Sequence, residues 1–184
     1  MPFVQVHFAR SGLVSAGVSA TTFYVILAPR HMNAMPEICL ASASDAEAIA
    51  LLSRDEIELG LRWSWTASRV RRSIQDPHTN VVVARERTRV VGFALLRYDD
   101  DCAHLMLLGV ARSRHRRGIA TALLHWLEET MRIAGTLAIQ VELRQSNIVA
   151  RTFYEKLGFE QVNATSKYYQ GVETALHMVK ELGD

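Results

Sequence analysis

Residues 141–159 constrain the fold more than any other part of the chain, because a strand pattern and a helix pattern meet there. The apolar run that contains Glu142 predicts the end of a strand, and 147–157 predicts a short helix. Asn147 stands where the helix would begin and can cap it, and Tyr154 lies two turns further along nearly the same face. A carboxylate at the end of a strand, followed by a helix that carries a phenol, is typical of residues that line one side of an active site.

A second informative stretch lies upstream, where the apolar run Leu107–Val110 is followed by the basic sequence His115-Arg116-Arg117-Gly118 at the start of a helix. A loop of this kind brings unpaired backbone N–H groups and the positive end of the helix dipole to one place, and Gly118 lets an anion approach closely. The alternative is a solvated basic turn. Gly109 destabilises its strand unless it forms a bulge or leaves room for a ligand to approach the backbone closely.

The order of elements predicts an α/β fold. Two opening helices, from Ser44 or Asp45 to about Leu61 and from Thr66 to before Asp76, precede all the strands that we predict. The strands are 80–86, 90–98, 103–110, 137–143, 159–163 and 172–181, and the later helices are 119–134 and 147–157. The first two strands form a hairpin. This order favours a mixed sheet with helices on both faces.

Composition sets the broad class. The chain has 184 residues, of which 49% are hydrophobic and 22% charged, and this is enough for one domain with an appendage. We predict an N-terminal extension of unassigned role over 1–36 and a domain over 37–184. Residues 11–29 carry no charge, as is typical of a signal peptide or a membrane anchor. Ser and Thr interrupt the apolar run, however, and we therefore expect no membrane span.

The charge and the cysteines exclude other classes. A net charge of +2 is too small to argue for a nucleic-acid partner. Cys39 and Cys102 have neither a disulfide nor a zinc spacing, so we expect reduced thiols in a cytoplasmic protein.

Together the two stretches resemble the acetyl-CoA-binding half of the GNAT (GCN5-related) N-acetyltransferases, over about residues 37–182. The resemblance implies a mostly antiparallel sheet that is splayed in the middle, acetyl-CoA as co-substrate and no metal. His115 departs from the Gln or Arg that the family carries at the first loop position, which weakens anion contact by this side chain. The implied coenzyme residues are Leu108, Gly109 and Val110 for the pantetheine arm; His115, Arg116, Arg117, Gly118, Ile119, Ala120 and Thr121 for the pyrophosphate; and Asn147 and Tyr154.

Acetyl transfer to an amine needs a neutral nitrogen, a polarised carbonyl and a proton for the leaving thiolate. The resemblance implies that Tyr154 is the general acid. Two residues compete as general base. Glu142 lies twelve residues before Tyr154, as in the bacterial ribosomal-protein alanine N-terminal acetyltransferases, and His104 stands where other members carry a glutamate or a histidine. We favour Glu142.

The sequence constrains the acceptor less than it constrains the fold or the coenzyme. Trp65, Tyr168 and Tyr169 resemble substrate-binding residues of the N-terminal acetyltransferase branch. Neutralising a lysine near pH 7 costs about 3 kcal/mol more than neutralising an α-amine, and the sequence shows no partner that would strengthen Glu142 or His104 as a base. We therefore predict a protein or peptide N-terminus as acceptor. One alternative is an enzyme that acetylates a small amine, such as a polyamine or an aminoglycoside. Another is a non-catalytic regulatory module that binds acetyl-CoA. A homodimer is possible in each case.

Overall fold

The computed structural model describes residues 35–60, 62–99, 102–169, 171 and 173–183. Nearly all of the predicted extension over 1–36 therefore lies outside the described residues, and the division of the chain at residue 36 stays a prediction. The elements in chain order are β1 Glu37–Leu40, α1 Ala46–Glu56, α2 Ala67–Gln75, β2 Thr79–Glu86, β3 Arg89–Tyr98, β4 Cys102–Val110, α3 Ile119–Ala134, β5 Ala138–Arg144, α4 Ile148–Lys156, β6 Glu160–Tyr169 and β7 Glu173–Glu181.

The strands form one seven-stranded sheet in the order β1-β2-β3-β4-β5-β7-β6. Neighbouring strands are antiparallel except β4 and β5, which are parallel. The pairing of β4 with β5 ends at Leu105 and Val141, and beyond this point the two strands part. Met106 is an extra residue in β4, since Leu95 faces Leu107 while Leu96 faces Leu105. The predicted mixed, mostly antiparallel and centrally splayed sheet is confirmed.

Helices cover both faces of the sheet, as predicted, because side chains alternate along each strand. Val82 belongs to a core cluster that contains α3 side chains such as Leu127. The next residue, Val83, belongs to a second cluster with Ile49 of α1 and Val70 of α2. The two clusters place α1 and α2 on one face of the sheet and α3 and α4 on the other.

One strand was not predicted, and two element boundaries differ from the prediction by more than two residues. The four-residue β1 is too short to show a period and was not predicted. Helix α1 ends at Glu56 rather than near Leu61, because buried Glu58 accepts hydrogen bonds from Ser64 and Trp65 and draws this segment off the helical path. Strand β6 runs beyond residue 163 to Tyr169, since its length follows from pairing with β7.

No helix in the described part of the chain combines the length and the apolar character needed to cross a bilayer.

Candidate active site

Two cavities meet at the point where β4 and β5 part. The larger, about 640 Å³, lies along the end of β4, the loop before α3 and the start of α4. The smaller, about 150 Å³, lies between the diverging parts of β4 and β5. Five residues line both cavities: Glu56, Leu108, Asn147, Ala150 and Tyr154. A molecule that fills the larger cavity can therefore reach the smaller one past Tyr154.

The larger cavity collects the predicted coenzyme residues. Those that line it are Leu108, Gly109, Val110, His115, Arg116, Gly118, Ile119, Ala120, Thr121, Asn147 and Tyr154. Of the predicted set, Arg117 is the one described residue that does not line it. The pKa of the Glu86 carboxylate is lowered first by its hydrogen bond from Arg114, and the charge of Arg117 contributes to the same shift. The charge of Arg117 thus acts on Glu86, which lines neither cavity.

The loop before α3 has the geometry of an anion site. Gly118 is the N-cap of α3 and adopts a left-handed φ of 78°. The first helical hydrogen bond runs from Ala122 N to Gly118 O at 2.9 Å, which leaves the amides of residues 119–121 without an acceptor in the helix. A Cβ on Gly118 would meet nothing closer than Met35 Cε at 3.9 Å. Open space in front of free N–H groups fits a pyrophosphate.

His115 has a structural role that the sequence did not reveal. Its Nε2 donates to Val110 O at 2.7 Å, and the same nitrogen lies 3.8 Å from Glu56 Oε2. Glu56 also accepts a hydrogen bond from Arg112 N at 2.9 Å. The imidazole and the carboxylate thus tie the loop to the end of β4 and to α1. Arg114 donates two hydrogen bonds of 2.7 Å to Glu86 of β2. Part of the basic turn therefore stabilises the fold by holding the loop against β2.

Gly109 is required by packing as well as by its position on the cavity wall. It lies opposite Phe93 of β3, and an added Cβ would stand 2.7 Å from Phe93 Cε1. The bulge that a strand glycine can indicate lies nearby at Met106. The main chain of β4 therefore borders the larger cavity next to a buried ring.

Tyr154 is buried on α4, with 6% of its surface exposed. Its ring packs edge-on against Phe153 and Phe159, each at a centroid distance of 5.1 Å. No described residue forms a hydrogen bond with its hydroxyl, and Tyr154 lines both cavities. Burial, with a smaller effect from Tyr169, raises the pKa of Tyr154 far above its usual value. The phenol is therefore protonated at any physiological pH and free to donate.

Glu142 lies on β5 directly after the last residue paired with β4, and it lines the smaller cavity. Tyr168 donates its hydroxyl to Glu142 Oε2 at 2.6 Å, and His177 Nδ1 lies 3.3 Å from Oε1. The sequence shows no partner for Glu142, because both partners lie on strands distant in sequence. The hydrogen bond to Glu142 is the main reason that the pKa of Tyr168 is raised.

The remaining predicted site residues lie in different places. Tyr169 lines the smaller cavity, and burial together with the charge of Glu142 raises its pKa to about 12. His104 faces Gln140 in the paired part of β4 and lines neither cavity. Trp65 lines neither cavity; its buried ring lies under the Arg69 guanidinium at 3.9 Å.

Arg144 is a site residue that the sequence did not indicate. Its Nη2 donates to Ile57 O at 3.1 Å and to Leu59 O at 3.2 Å, which fastens the segment after α1 to β5. It lines the smaller cavity, with its guanidinium 5.9 Å from the centre of the Tyr169 ring. No pattern in the sequence could have linked positions 87 residues apart.

Within the described ranges, no group of three or more His, Cys, Asp or Glu side chains is arranged to hold a metal ion.

Comparison with known proteins decides the family. The family model of the acetyltransferase (GNAT) domain matches residues 55–182, which is more than half of the chain. This chain belongs to the GNAT acetyltransferase family. An uncharacterized N-acetyltransferase of Mycobacterium tuberculosis is 33% identical to this GNAT chain over 174 residues, covering 91% of this chain and 95% of that protein. The predicted resemblance is confirmed, and the enzyme is an acetyl-CoA-dependent acetyltransferase.

Two further relatives match over shorter segments. An uncharacterized N-acetyltransferase of Methanocaldococcus jannaschii is 38% identical over 100 residues, which cover 54% of this GNAT chain and 64% of that protein. The ribosomal protein bS18-alanine N-acetyltransferase of Salmonella typhimurium is 33% identical over 93 residues, which cover 49% of this chain and 63% of that protein.

Solved structures agree with the GNAT fold. The ribosomal-protein-S18-alanine N-acetyltransferase of Escherichia coli superposes with a TM-score of 0.72 at 24% identity, covering 82% of this chain and 96% of that one. An N-acetyltransferase of Thermoplasma acidophilum, solved in complex with coenzyme A, gives a TM-score of 0.68 at 20% identity and covers 79% of this chain and 98% of that one.

Proposed function

We propose that this GNAT enzyme transfers the acetyl group of acetyl-CoA to the α-amine of a protein or peptide N-terminus. One observation carries the proposal. Glu142 and Tyr154 line the same small cavity where β4 and β5 diverge, and Tyr154 also lines the larger cavity with the anion-binding loop. A proton acceptor and a proton donor thus stand where a thioester from the larger cavity would meet an amine in the smaller one.

The residues divide the proton transfers between them. Glu142 accepts, through water, the proton that the ammonium must lose before its nitrogen can attack. The bond from nitrogen to the acetyl carbon forms and the carbon–sulfur bond breaks. Tyr154 donates its phenolic proton to the departing sulfur, and the proton that the nitrogen releases as the amide forms restores the phenol. The products are the amide, the free thiol and one proton, which leaves from Glu142.

The size and charge of the smaller cavity support an N-terminal residue as acceptor. Its volume of about 150 Å³ is below the ~300–1,000 Å³ of sites that enclose a drug-sized ligand, so it suits an amine with a short side chain. Two carboxylates, Glu56 and Glu142, border it against one basic side chain, Arg144, and this excess of negative charge favours a cationic amine. The relative from Salmonella typhimurium is named as the N-acetyltransferase of an alanine of ribosomal protein bS18.

A substrate comparison tests the proposal. Peptides that begin with Ala or Ser and contain one internal lysine are offered with acetyl-CoA, beside the same peptides with a blocked N-terminus, a polyamine and an aminoglycoside. We expect thiol release and a gain of one acetyl group only for the free N-terminus. If the blocked peptides, the polyamine or the aminoglycoside are acetylated and the free N-termini are not, the α-amine assignment is wrong.

The cytoplasmic location, the homodimer and the exclusion of nucleic-acid and membrane partners stay predictions from the sequence.

A further inference from the structure

Glu142 is held by a histidine that the proposed chemistry does not use. His177 lies on β7 directly opposite Glu142 of β5, and directly opposed residues of antiparallel strands project from the same face. The His177 Nδ1 atom lies 3.3 Å from Glu142 Oε1. Both side chains are about three-quarters buried, with 23% and 25% exposure respectively. The pair therefore stands at the edge of the smaller cavity, partly shielded from water.

Two neighbours of the His177 imidazole bear on which ring nitrogen carries the proton. His177 Nε2 lies 2.8 Å from Thr165 Oγ1. An ionised carboxylate can only accept, so a proton on Nδ1 would face Glu142 Oε1, and the neutral imidazole would then accept the hydroxyl proton of Thr165 at Nε2. The Thr165 hydroxyl can donate or accept, so its contact with Nε2 is compatible with a proton on Nδ1. The Tyr168 ring packs edge-on against the imidazole at 6.0 Å and limits its rotation.

Both carboxylate oxygens of Glu142 are consequently held from one side. His177 contacts Oε1 and Tyr168 donates to Oε2. An exposed glutamate on a strand would sample several rotamers, whereas two directional contacts select one. The lone pairs that these partners leave free are available to a water in the cavity, as the proposed proton transfer requires.

We propose that His177 is a positioning residue, which orients the Glu142 carboxylate towards the acceptor amine through a proton on Nδ1, the nitrogen that lies 3.3 Å from Oε1. The inference rests on the proposed function, since it takes Glu142 as the base. His177 touches neither substrate, and it lines neither cavity among the residues described. Its effect is therefore on turnover through Glu142 and not on coenzyme binding.

Three substitutions separate positioning from simple packing. His177→Leu removes both ring nitrogens, His177→Asn keeps an N–H donor near the place of Nδ1, and His177→Gln places its donor near Nε2. We expect kcat to fall about 10-fold for the Leu and Gln variants and to recover to within about threefold of wild type for Asn. Coenzyme affinity should change less than twofold throughout. His125→Leu, on the exposed side of α3, is the matched control and should keep wild-type kcat.

A double-mutant cycle completes the test. In a Glu142→Gln background, His177→Leu should lower kcat by less than twofold, because its target is already gone. The inference is overturned if His177→Leu keeps wild-type kcat, if the Asn variant is as slow as Leu, or if the loss persists in the Glu142→Gln background. The amine used is whichever one wild type acetylates, so a failed peptide assignment leaves this test intact. An unimpaired Glu142→Gln variant would instead remove the proposed base.

Discussion

Replacing Tyr154 with Phe removes one hydroxyl and little else. The ring would keep its edge-on contacts with Phe153 and Phe159 at 5.1 Å. Because no described residue forms a hydrogen bond with the hydroxyl, its removal leaves no protein donor or acceptor unsatisfied. We therefore expect the free energy of unfolding to change by less than about 0.5 kcal/mol.

The effect on catalysis should be large by comparison. A positioned general acid contributes about 10²–10⁴-fold to a rate, and the phenol is the buried donor at the junction of the two cavities. We expect Tyr154→Phe to lower kcat at least about 100-fold, which corresponds to about 2.7 kcal/mol of transition-state stabilisation. The dissociation constant of acetyl-CoA should stay within about threefold of wild type.

Tyr98→Phe is the matched control, since it removes a phenol from a network remote from the cavities. The Tyr98 hydroxyl lies 2.9 Å from Asn80 Nδ2 and 3.0 Å from Thr130 Oγ1. Its loss should destabilise the fold by about 1 kcal/mol and leave kcat unchanged. Thiol release under saturating substrate gives kcat, titration calorimetry gives coenzyme affinity, and thermal unfolding gives stability. A Tyr154→Phe enzyme that retains a third or more of wild-type kcat refutes the acid role.

Three further predictions test other parts of the structure. Gly118→Glu should lower coenzyme affinity at least about 100-fold by calorimetry, whereas Gly135→Glu, which has the same left-handed strain (φ 75°) at the other end of α3, should not. Gly109→Ala forces a Cβ to within 2.7 Å of a phenyl carbon and should lower stability by about 2 kcal/mol in denaturant titration; an unchanged midpoint contradicts the packing. Burial opposes ionisation of Asp45, but its hydrogen bonds, among them those from Arg85, outweigh this effect and lower its pKa. Asp45 therefore stabilises the fold above the unfolded-state pKa near ~4, and the Tm difference between wild type and Asp45→Asn should shrink as the pH falls below this value, rather than stay constant.

Local patterns were sufficient for most of the secondary structure. Helix α3 has the bounds that its apolar period predicts, and Asn147 caps α4 by accepting a hydrogen bond from Ala150 N at 3.0 Å. The β2–β3 hairpin also follows from adjacent patterns. These features depend on residues within a few positions of one another, and the sequence states such relations directly.

The site depended on relations that a linear pattern does not contain. Glu142 and His104 were both candidate bases from their strand positions, and only the end of β4–β5 pairing places Glu142 at a cavity and His104 in the paired region. His177 became a partner of Glu142 through the pairing of β5 with β7.

The sequence by itself determined the family and the order of nearly all elements, and it predicted the basic, glycine-bearing loop before α3, because each is encoded in a short contiguous segment. Tertiary structure alone decided where the sheet opens and which side chains hold Glu142. It also decided how Arg144 fastens the segment after α1 to β5. The physical reason is that strand pairing joins residues far apart in sequence, and the register that brings two side chains together is set by the packing of the whole sheet.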